Sequence, residues 1–405
     1  MITVEEALAH IETARVLPRV QTVALREAIG KTTAEDITAR LTHPPLAASA
    51  MDGYAARFKD TSKRGKTLTV IGEAPAGAPF DGHVNAGEVV RIFTGGVLPD
   101  GADTIIIQED VTRTDGHITV DEAQGTPRHI RKAGLDFKTG DVLIRKGTRM
   151  GPAEIAIAAA ANHAELKINT PLKVAILTGG DELIPPGATP KPGQIINSNP
   201  FGLAALIESW GAEAIVLPQA KDSIESILSA LERAKDAQII LPVGGASVGD
   251  HDYMRRAFAQ AGLEMVFEKV AVRPGKPTWF GKLGEACVLG LPGNPASALV
   301  CAHIFLRAAL GHTTPPILKA QLTIPVSANK ARQAYNRAAA AINTHGQLCV
   351  TPMPKQDSSL IRPFLTANAL MVMPPNSGPW VAGDIVDIIS LGADMLALND
   401  LPQSE

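Results

Sequence analysis

The chain has 405 residues, 45% of them hydrophobic, 20% charged and only 4% aromatic, which excludes disordered and fibrous classes and predicts aliphatic cores. At about 150 residues per domain this length predicts two or three domains. With 38 basic against 41 acidic residues and a net charge of −3, the balance argues against a general nucleic-acid or membrane-surface binder, so an anionic ligand needs a local cationic pocket.

The first residues, Met1-Ile2-Thr3-Val4-Glu5-Glu6, are acidic and have no apolar signal core. No apolar run approaches the ~18 residues of a membrane span, since the stretch 298–310 is broken by His303 and Arg307. A cytoplasmic protein is expected. Val4, Ala7, Leu8, Ile11 and Ala14 fall at helical spacing over 3–14. Between about 43 and 140, short β-rich runs (68–71, 89–93, 104–108 and 117–120) alternate with Gly, Pro and Asp turns. An Ala-rich helix follows over 151–163, with Pro152 in its first turn. The texture is that of a β-rich domain of residues 43–140 inserted into a helical domain of 1–42 plus 141–170.

From Lys173 the pattern changes to short apolar runs at 174–177, 214–217 and 238–243, each followed by an amphipathic segment. This predicts a parallel α/β sheet over 171–315. Asn294-Pro295 opens a further helix as cap and first turn, and Asp222 is a candidate cap for the helix over 223–234. Thr313-Thr314-Pro315-Pro316 reads as a linker, after which runs at 321–326, 347–352, 369–373 and 385–389 predict an all-β domain over 316–405.

In open α/β sheets ligands sit beyond the carboxyl ends of the strands. Three loops there are glycine-rich: Thr178-Gly179-Gly180-Asp181-Glu182, the segment 244–252 containing Gly244, Gly245, Ser247, Gly249, His251 and Asp252, and Gly290-Leu291-Pro292-Gly293-Asn294-Pro295. Glycines let backbone amides approach phosphate oxygens, so these loops suit a phosphorylated or nucleotide ligand. Neither Gly-x-Gly-x-x-Gly nor Gly-x-x-x-x-Gly-Lys-[Ser/Thr] occurs, which disfavours a dinucleotide dehydrogenase and a P-loop NTPase. Gly245-x-Ser247-x-Gly249 matches a hydrolase elbow but has no argued Asp/His partner. The histidines lack zinc-site spacing, and Cys287, Cys301 and Cys349 are expected as buried thiols. Lys269, Arg273 and Lys276, the last two on a proline-stiffened turn, offer a clamp for oxyanions. Loop carboxylates Asp52, Asp136, Glu182, Asp222 and Asp252 are hard ligands of the kind that hold Mg²⁺ together with substrate phosphates. Cations and carboxylates beside glycine loops suggest metal-assisted phosphoryl chemistry.

The segments 44–55, centred on Met51-Asp52-Gly53-Tyr54, 93–104, containing Phe93-Thr94-Gly95-Gly96, 244–252, 273–277 and 290–295 together resemble the molybdopterin molybdenumtransferase family, of the MoeA and gephyrin E-domain type. The likeness runs in order over roughly residues 1–320. It implies an elongated homodimer of four-domain subunits, with a parallel α/β molybdopterin-binding domain and a barrel-like carboxy-terminal domain. It also implies a transferase that takes adenylylated molybdopterin and molybdate and releases AMP with the help of Mg²⁺, alongside other molybdenum cofactor biosynthesis proteins. The implied site lies between the α/β domain of one subunit and the helical and inserted domains of the other. Carried over by position, its catalytic residues are Asp52, Asp136, Glu182, Asp222 and Asp252. Thr94, Arg131, Gly244, Gly245, Ser247, Gly249, Lys269, Arg273, Lys276, Pro292, Gly293 and Asn294 bind substrate, and Glu182 and Asp252 hold the metal.

The chain departs from the family pattern at Thr178-Gly179, at Ala246, and at Arg273, where lysine is common. Arg273 keeps the charge but changes its geometry. In the carboxy-terminal domain Asp357-Ser358-Ser359-Leu360-Ile361-Arg362-Pro363 replaces a more hydroxyl-rich loop; if that loop holds molybdate, Arg362 supplies charge in place of hydroxyl donors. Two other readings stand beside the enzyme: a molybdopterin-binding dimeric scaffold, disfavoured because no fused domain or long linker is visible, and a molybdopterin adenylyltransferase, disfavoured by the inserted domain.

Overall fold

Apolar runs too short to be helices, punctuated by helix caps, fold from Lys173 onward into a layered α/β domain in the computed structural model, which describes residues 1–244, 253–312 and 317–392. Its six-stranded sheet has the order Glu213–Val216, Lys173–Thr178, Ile239–Val243, Ala286–Gly290, Trp279–Leu283, Glu264–Phe267. The first four strands are parallel. Trp279–Leu283 runs against them and pairs antiparallel with both Ala286–Gly290 and Glu264–Phe267, an addition to the expected parallel sheet. The reason is local: Gly284 and Glu285 alone separate Leu283 from Ala286, a two-residue turn that only a hairpin can use, with Gly284 at φ +57°.

Both central strands are buried on two faces, as parallel strands between helix layers must be. Val174 and Ile176 face a core shared with the helix Asn199–Ser209 and with the helical stretch from Pro295 to Ala309. Ala175 and Leu177 face the opposite core, with the helices Ile224–Arg233 and Tyr253–Gln260. The helix predicted over 3–14 is Val4–Ala14, closed by a reciprocal Thr3/Glu6 capping box. Its buried residues Val4, Ala7 and Ile11 belong to the α/β core, so Met1–Pro18 groups with Pro171–Glu405 as one compact unit.

Within that unit, Leu318–Leu322, Gln333–Ile342, Leu348–Pro352, Ala369–Met373 and Ile385–Ser390 close into a five-stranded barrel, because Gln333–Ile342 pairs with both Leu348–Pro352 and Ala369–Met373. The sequence reading has no strand at 333–342, where alanines dominate and helix propensity is high. In the barrel Ala334, Ala338 and Ala340 lie in the core with Leu322, Met371 and Ile388. Small side chains at these positions leave room for the larger ones across a narrow interior, and packing overrides local preference. Val272–Arg273, next to the α/β sheet in sequence, pairs in parallel with Gln333 and Ala334 and so carries the cationic turn to the barrel edge.

The second unit, Arg19–Thr170, holds a six-stranded sheet in the order Thr104–Ile107, Gly53–Ala56, Glu88–Ile92, Thr67–Ala74, His117–Val120, Val111–Thr114. The four runs predicted there overlap four of these strands. Gly53–Ala56, buried throughout, is a strand that the sequence pattern does not signal, since Gly-Tyr-Ala-Ala has no alternation. Residues 19–42 and 141–170 contribute two antiparallel pairs, Val20–Ala24 with Glu165–Asn169 and Ile37–Thr38 with Val142–Ile144, and the helix Pro152–Ala160. No helix among the described residues is long and apolar enough to cross a membrane.

Candidate functional site

At the carboxyl ends of the parallel strands the glycine turns meet. Gly244, at φ +89°, donates its amide to the Leu291 carbonyl at 3.1 Å. A Cβ on Gly293 would stand 3.3 Å from Gly244 Cα, and one on Gly244 would stand 3.6 Å from the Gly179 carbonyl oxygen. Gly293 is tight against Gly244, while at Gly244 it is the positive φ that favours glycine. They border a cavity of about 690 Å³ lined also by Glu182, Asn197, Asn199, Pro292 and Asn294. Asn199 Nδ2 donates to the Gly293 carbonyl at 2.7 Å, and the buried Asn197 Nδ2 donates to Thr178 Oγ1 at 2.9 Å. Leu183, Ile195 and Ile196 also line the cavity, on a parallel ribbon of Leu183–Ile184 and Ile195–Ile196. Gln219 Nε2 pins it by donating to the Gly180 and Leu183 carbonyls at 2.7 and 3.0 Å.

Glu182 lines this cavity with its carboxylate folded against Gly180, whose φ of +138° only glycine adopts readily. Asp222 does not line it. Asp222 and Asp181 instead exchange amide-to-carboxylate hydrogen bonds at 3.3 Å each, and Ser223 caps the following helix by accepting from the Ser226 amide at 3.2 Å. The cap expected of Asp222 is therefore one residue further on, because Ser223 has the extended backbone that a cap requires.

A second cavity of about 470 Å³ shares Pro277, Pro292 and Asn294 with the first. Arg273 and Lys276 line it and are exposed; Arg332, Tyr335, Asn336, Arg337, Gln356 and Ser358 complete it from the barrel side. The turn carrying the two cations is held from below. Thr278 Oγ1 donates to the Gly275 carbonyl at 2.8 Å and to Cys301 Sγ at 3.3 Å, and Gly275 Cα packs on that sulfur so tightly that no Cβ fits. Burial pushes the Cys301 thiol up to about 12, and all three cysteines are buried and free. Lys269 lies outside both linings; its carbonyl accepts from the Ile2 amide at 3.1 Å.

Sequence reasoning missed Arg332, Arg337 and the contact of Ser358. Arg337, 2% exposed, donates to the Leu360, Asp357 and Lys355 carbonyls at 2.5, 2.9 and 3.2 Å and so holds the loop that presents Ser358 and Ser359. Asn294 Nδ2 donates to Ser358 Oγ at 2.9 Å across the seam between the cavities. The expectation for Arg362 is corrected: it lines neither cavity and stands exposed at the head of the Arg362–Leu365 turn, while the buried charge at that loop is Arg337. An arginine inside an alanine-rich run was the one signal that could have found it.

In the second unit, Asp52 Oδ1 accepts from both the amide and the hydroxyl of Thr94, each at 2.8 Å. Those two bonds, with a smaller contribution from the Arg91 charge, hold the Asp52 carboxyl below its ordinary range. Gly53 behind it has no room for a Cβ against the Ile106 carbonyl. The Arg91 guanidinium lies 4.9 Å from the Tyr54 ring centroid and 5.1 Å from that of Phe93. Arg131 pairs with Ala48, and the turn after Thr94 hydrogen-bonds to Ser49 of the same short strand. Asp136 is exposed, its amide bonded to the His43 carbonyl at 3.1 Å. Gly245, Ser247, Gly249 and Asp252 lie outside the described residues, as does His251. Among the described residues no three His, Cys, Asp or Glu side chains are grouped to hold a metal ion.

A parallel α/β domain with converging glycine turns at the carboxyl ends of its strands, beside a cationic cavity shared with a small barrel, defines the class of α/β proteins whose loops are placed to take an anionic ligand. The comparisons narrow that class. Residues 2–162 match the model of the MoeA N-terminal region (domain I and II), 175–312 that of a probable molybdopterin binding domain, and 319–391 that of the MoeA C-terminal region (domain IV). A molybdopterin molybdenumtransferase of Haemophilus influenzae is 34% identical over 400 residues, covering 96% of this chain and 98% of its own. One of Staphylococcus aureus (strain COL) is 30% identical over 404 residues, covering 97% and 96%. The crystal structure of a molybdopterin biosynthesis MoeA protein from Pyrococcus horikoshii superposes with a TM-score of 0.83 at 28% identity, covering 97% of this chain and all of that one. The chain belongs to the molybdopterin molybdenumtransferase family, and it is an enzyme of molybdenum cofactor biosynthesis.

Proposed function

We propose that the enzyme converts adenylylated molybdopterin and molybdate into molybdenum-loaded molybdopterin and AMP, as a cytoplasmic homodimer assisted by Mg²⁺. The observation that carries this reading is the pairing of two cavities along one seam, a glycine-lined one and a cationic one joined at Pro277, Pro292 and Asn294. The glycine turns at 179 and 293 offer backbone amides to the phosphates, while the Gly244 amide, bonded to the Leu291 carbonyl, holds its own turn to the one at 293. Arg273, Lys276 and Arg332 offer charge to molybdate, a tetrahedral oxyanion of similar size to phosphate.

Mg²⁺ fits the donor chemistry beside the glycine turns, where Glu182 supplies a carboxylate and substrate phosphates supply the other charged oxygens. Bound there, with Asp252 as the second protein ligand, it would neutralise the phosphoanhydride. Asp222 supports Glu182 indirectly, by bonding the turn that carries it. Asp52, Thr94, Arg131 and Asp136 are assigned to the same reaction. The Thr94 bonds keep Asp52 ionised, and so able to accept a hydrogen bond from substrate.

The reading is tested with the Glu182→Gln and Lys276→Ala proteins in single-turnover AMP release. Glu182→Gln should raise the Mg²⁺ concentration needed for half-maximal rate, and Lys276→Ala the molybdate concentration. If neither requirement moves in folded protein, the two roles are wrong.

A further inference from the structure

Shortly before Asp52 in the chain stands a polar side chain shut away from solvent: Ser49 is 0% exposed. A buried hydroxyl needs partners, and here they are the main chain of Met51. Ser49 Oγ donates to the Met51 carbonyl at 2.6 Å and accepts from the Met51 amide at 3.3 Å. The hydroxyl therefore ties off the turn that delivers Asp52. The main chain of Ser49 is engaged elsewhere. Its amide donates to the Gly96 carbonyl and its carbonyl accepts from the Gly95 amide, each at 2.9 Å, so the same residue grips the turn that follows Thr94. That turn is itself fixed, since a Cβ on Gly96 would meet the Ala74 carbonyl oxygen at 2.4 Å. Ile130 pairs opposite Ser49, and the Ala50 amide donates to the His129 carbonyl at 2.8 Å.

Both partners of the Asp52–Thr94 pair thus hang from one residue, Asp52 through the Ser49 side chain and Thr94 through the Ser49 backbone. Hydrogen bonds weaken steeply as distance and angle depart from their optimum. The two 2.8 Å bonds from Thr94 to Asp52 Oδ1 accordingly persist only while the turn between Ser49 and Asp52 keeps its length. We propose that Ser49 is the positioning residue for Asp52. It does not touch substrate, because its hydroxyl is buried and engaged by Met51; it acts by keeping the carboxylate in register with Thr94. The part that Asp52 plays in the reaction rests on the function proposed above, whereas the anchoring stands on the geometry of the second unit.

Ser49→Ala, Ser49→Cys and the control Thr61→Val separate positioning from mere stability. Thr61 is equally buried in the same unit, and its hydroxyl donates to the Gln124 side chain at 2.8 Å and not to the Asp52 turn. Ser49→Ala and Thr61→Val should each lower Tm by a few degrees, about the loss of one buried hydrogen bond. Only Ser49→Ala should move the Asp52 carboxyl, its NMR titration midpoint rising toward the ordinary carboxylate range. Only Ser49→Ala should slow AMP release, about tenfold at saturating molybdate, with the molybdate concentration for half-maximal rate unchanged. Ser49→Cys, whose thiol is a weaker donor and acceptor, should fall between wild type and Ser49→Ala on both readouts, and it carries the test if Ser49→Ala does not fold. An unmoved Asp52 midpoint in the folded variant overturns the anchor. A moved midpoint with an unchanged rate, or a rate loss matched by Thr61→Val, overturns the positioning role. If neither Ser49 variant folds while Thr61→Val does, Ser49 serves stability and the role falls likewise. If wild type releases no AMP with molybdate, the proposed function fails, and the Asp52 midpoint still decides the anchor.

Discussion

Asp52 owes its ionisation to one neighbour: Thr94 gives it two hydrogen bonds from two different groups. Thr94→Val removes the hydroxyl and keeps the amide, so the Asp52 carboxyl should titrate at higher pH than in wild type, nearer the ordinary carboxylate range. Carbon-detected NMR titration of that side chain measures it directly, and an unmoved midpoint would remove Thr94 Oγ1 from the account. Lys276 poses the complementary question. It is exposed, so Lys276→Ala should leave Tm within a degree or two, an effect of about 0.5 kcal/mol or less. Molybdate binding should weaken several-fold in the same protein; a folded variant that binds molybdate normally would clear Lys276 of the clamp. The glycine turns were legible because positive φ at Gly180, Gly244 and Gly275 admits few other residues. Arg332, Arg337 and Ser358 were not, because Val272–Arg273 brings the barrel to the cationic turn by a pairing between residues about sixty positions apart in sequence.

Among elements, the turn Pro274–Thr278 depends on Gly275 twice, for its φ of +113° and for its contact with Cys301. Gly275→Ala should therefore cost on the order of 3 kcal/mol, from backbone strain and overpacking together. Urea unfolding checks this, and a loss below about 1 kcal/mol would mean that the turn relaxes freely. The long carboxy-terminal helix of the α/β domain carries a different sensitivity. Its π-helical stretch Ala302–Leu306 buries His303 edge-on to Trp210, with ring centroids 5.3 Å apart. Burial, and then the Arg307 charge, push the imidazole down from 6.5 to about 4. The unfolded chain thus takes up this proton first, so stability present above pH 6.5 is lost as pH falls toward 4, by up to about 3 kcal/mol. His303→Phe should flatten that limb of the stability-versus-pH curve; an unchanged slope would mean that other groups cause it. Helices and the parallel strands were readable from periodicity and caps. Gln333–Ile342 and Gly53–Ala56 were not, since their small side chains are chosen by neighbours across a barrel and a sheet and not by local preference.

At the scale of the whole molecule, the α/β domain, the cationic turn and the barrel meet around one seam, where Asn294 bonds Ser358 between two cavities. On the proposed function, the glycine-lined cavity would take the nucleotide-activated pterin and the cationic one beside it the metal oxyanion. The most direct test is AMP release from adenylylated molybdopterin by the purified chain with Mg²⁺, with molybdate as the variable and sulfate as the control oxyanion. The account predicts one AMP per pterin, released at a rate that rises and saturates with molybdate and does not respond to sulfate. AMP release indifferent to molybdate, or none at all from a folded protein that binds the substrate, would contradict it.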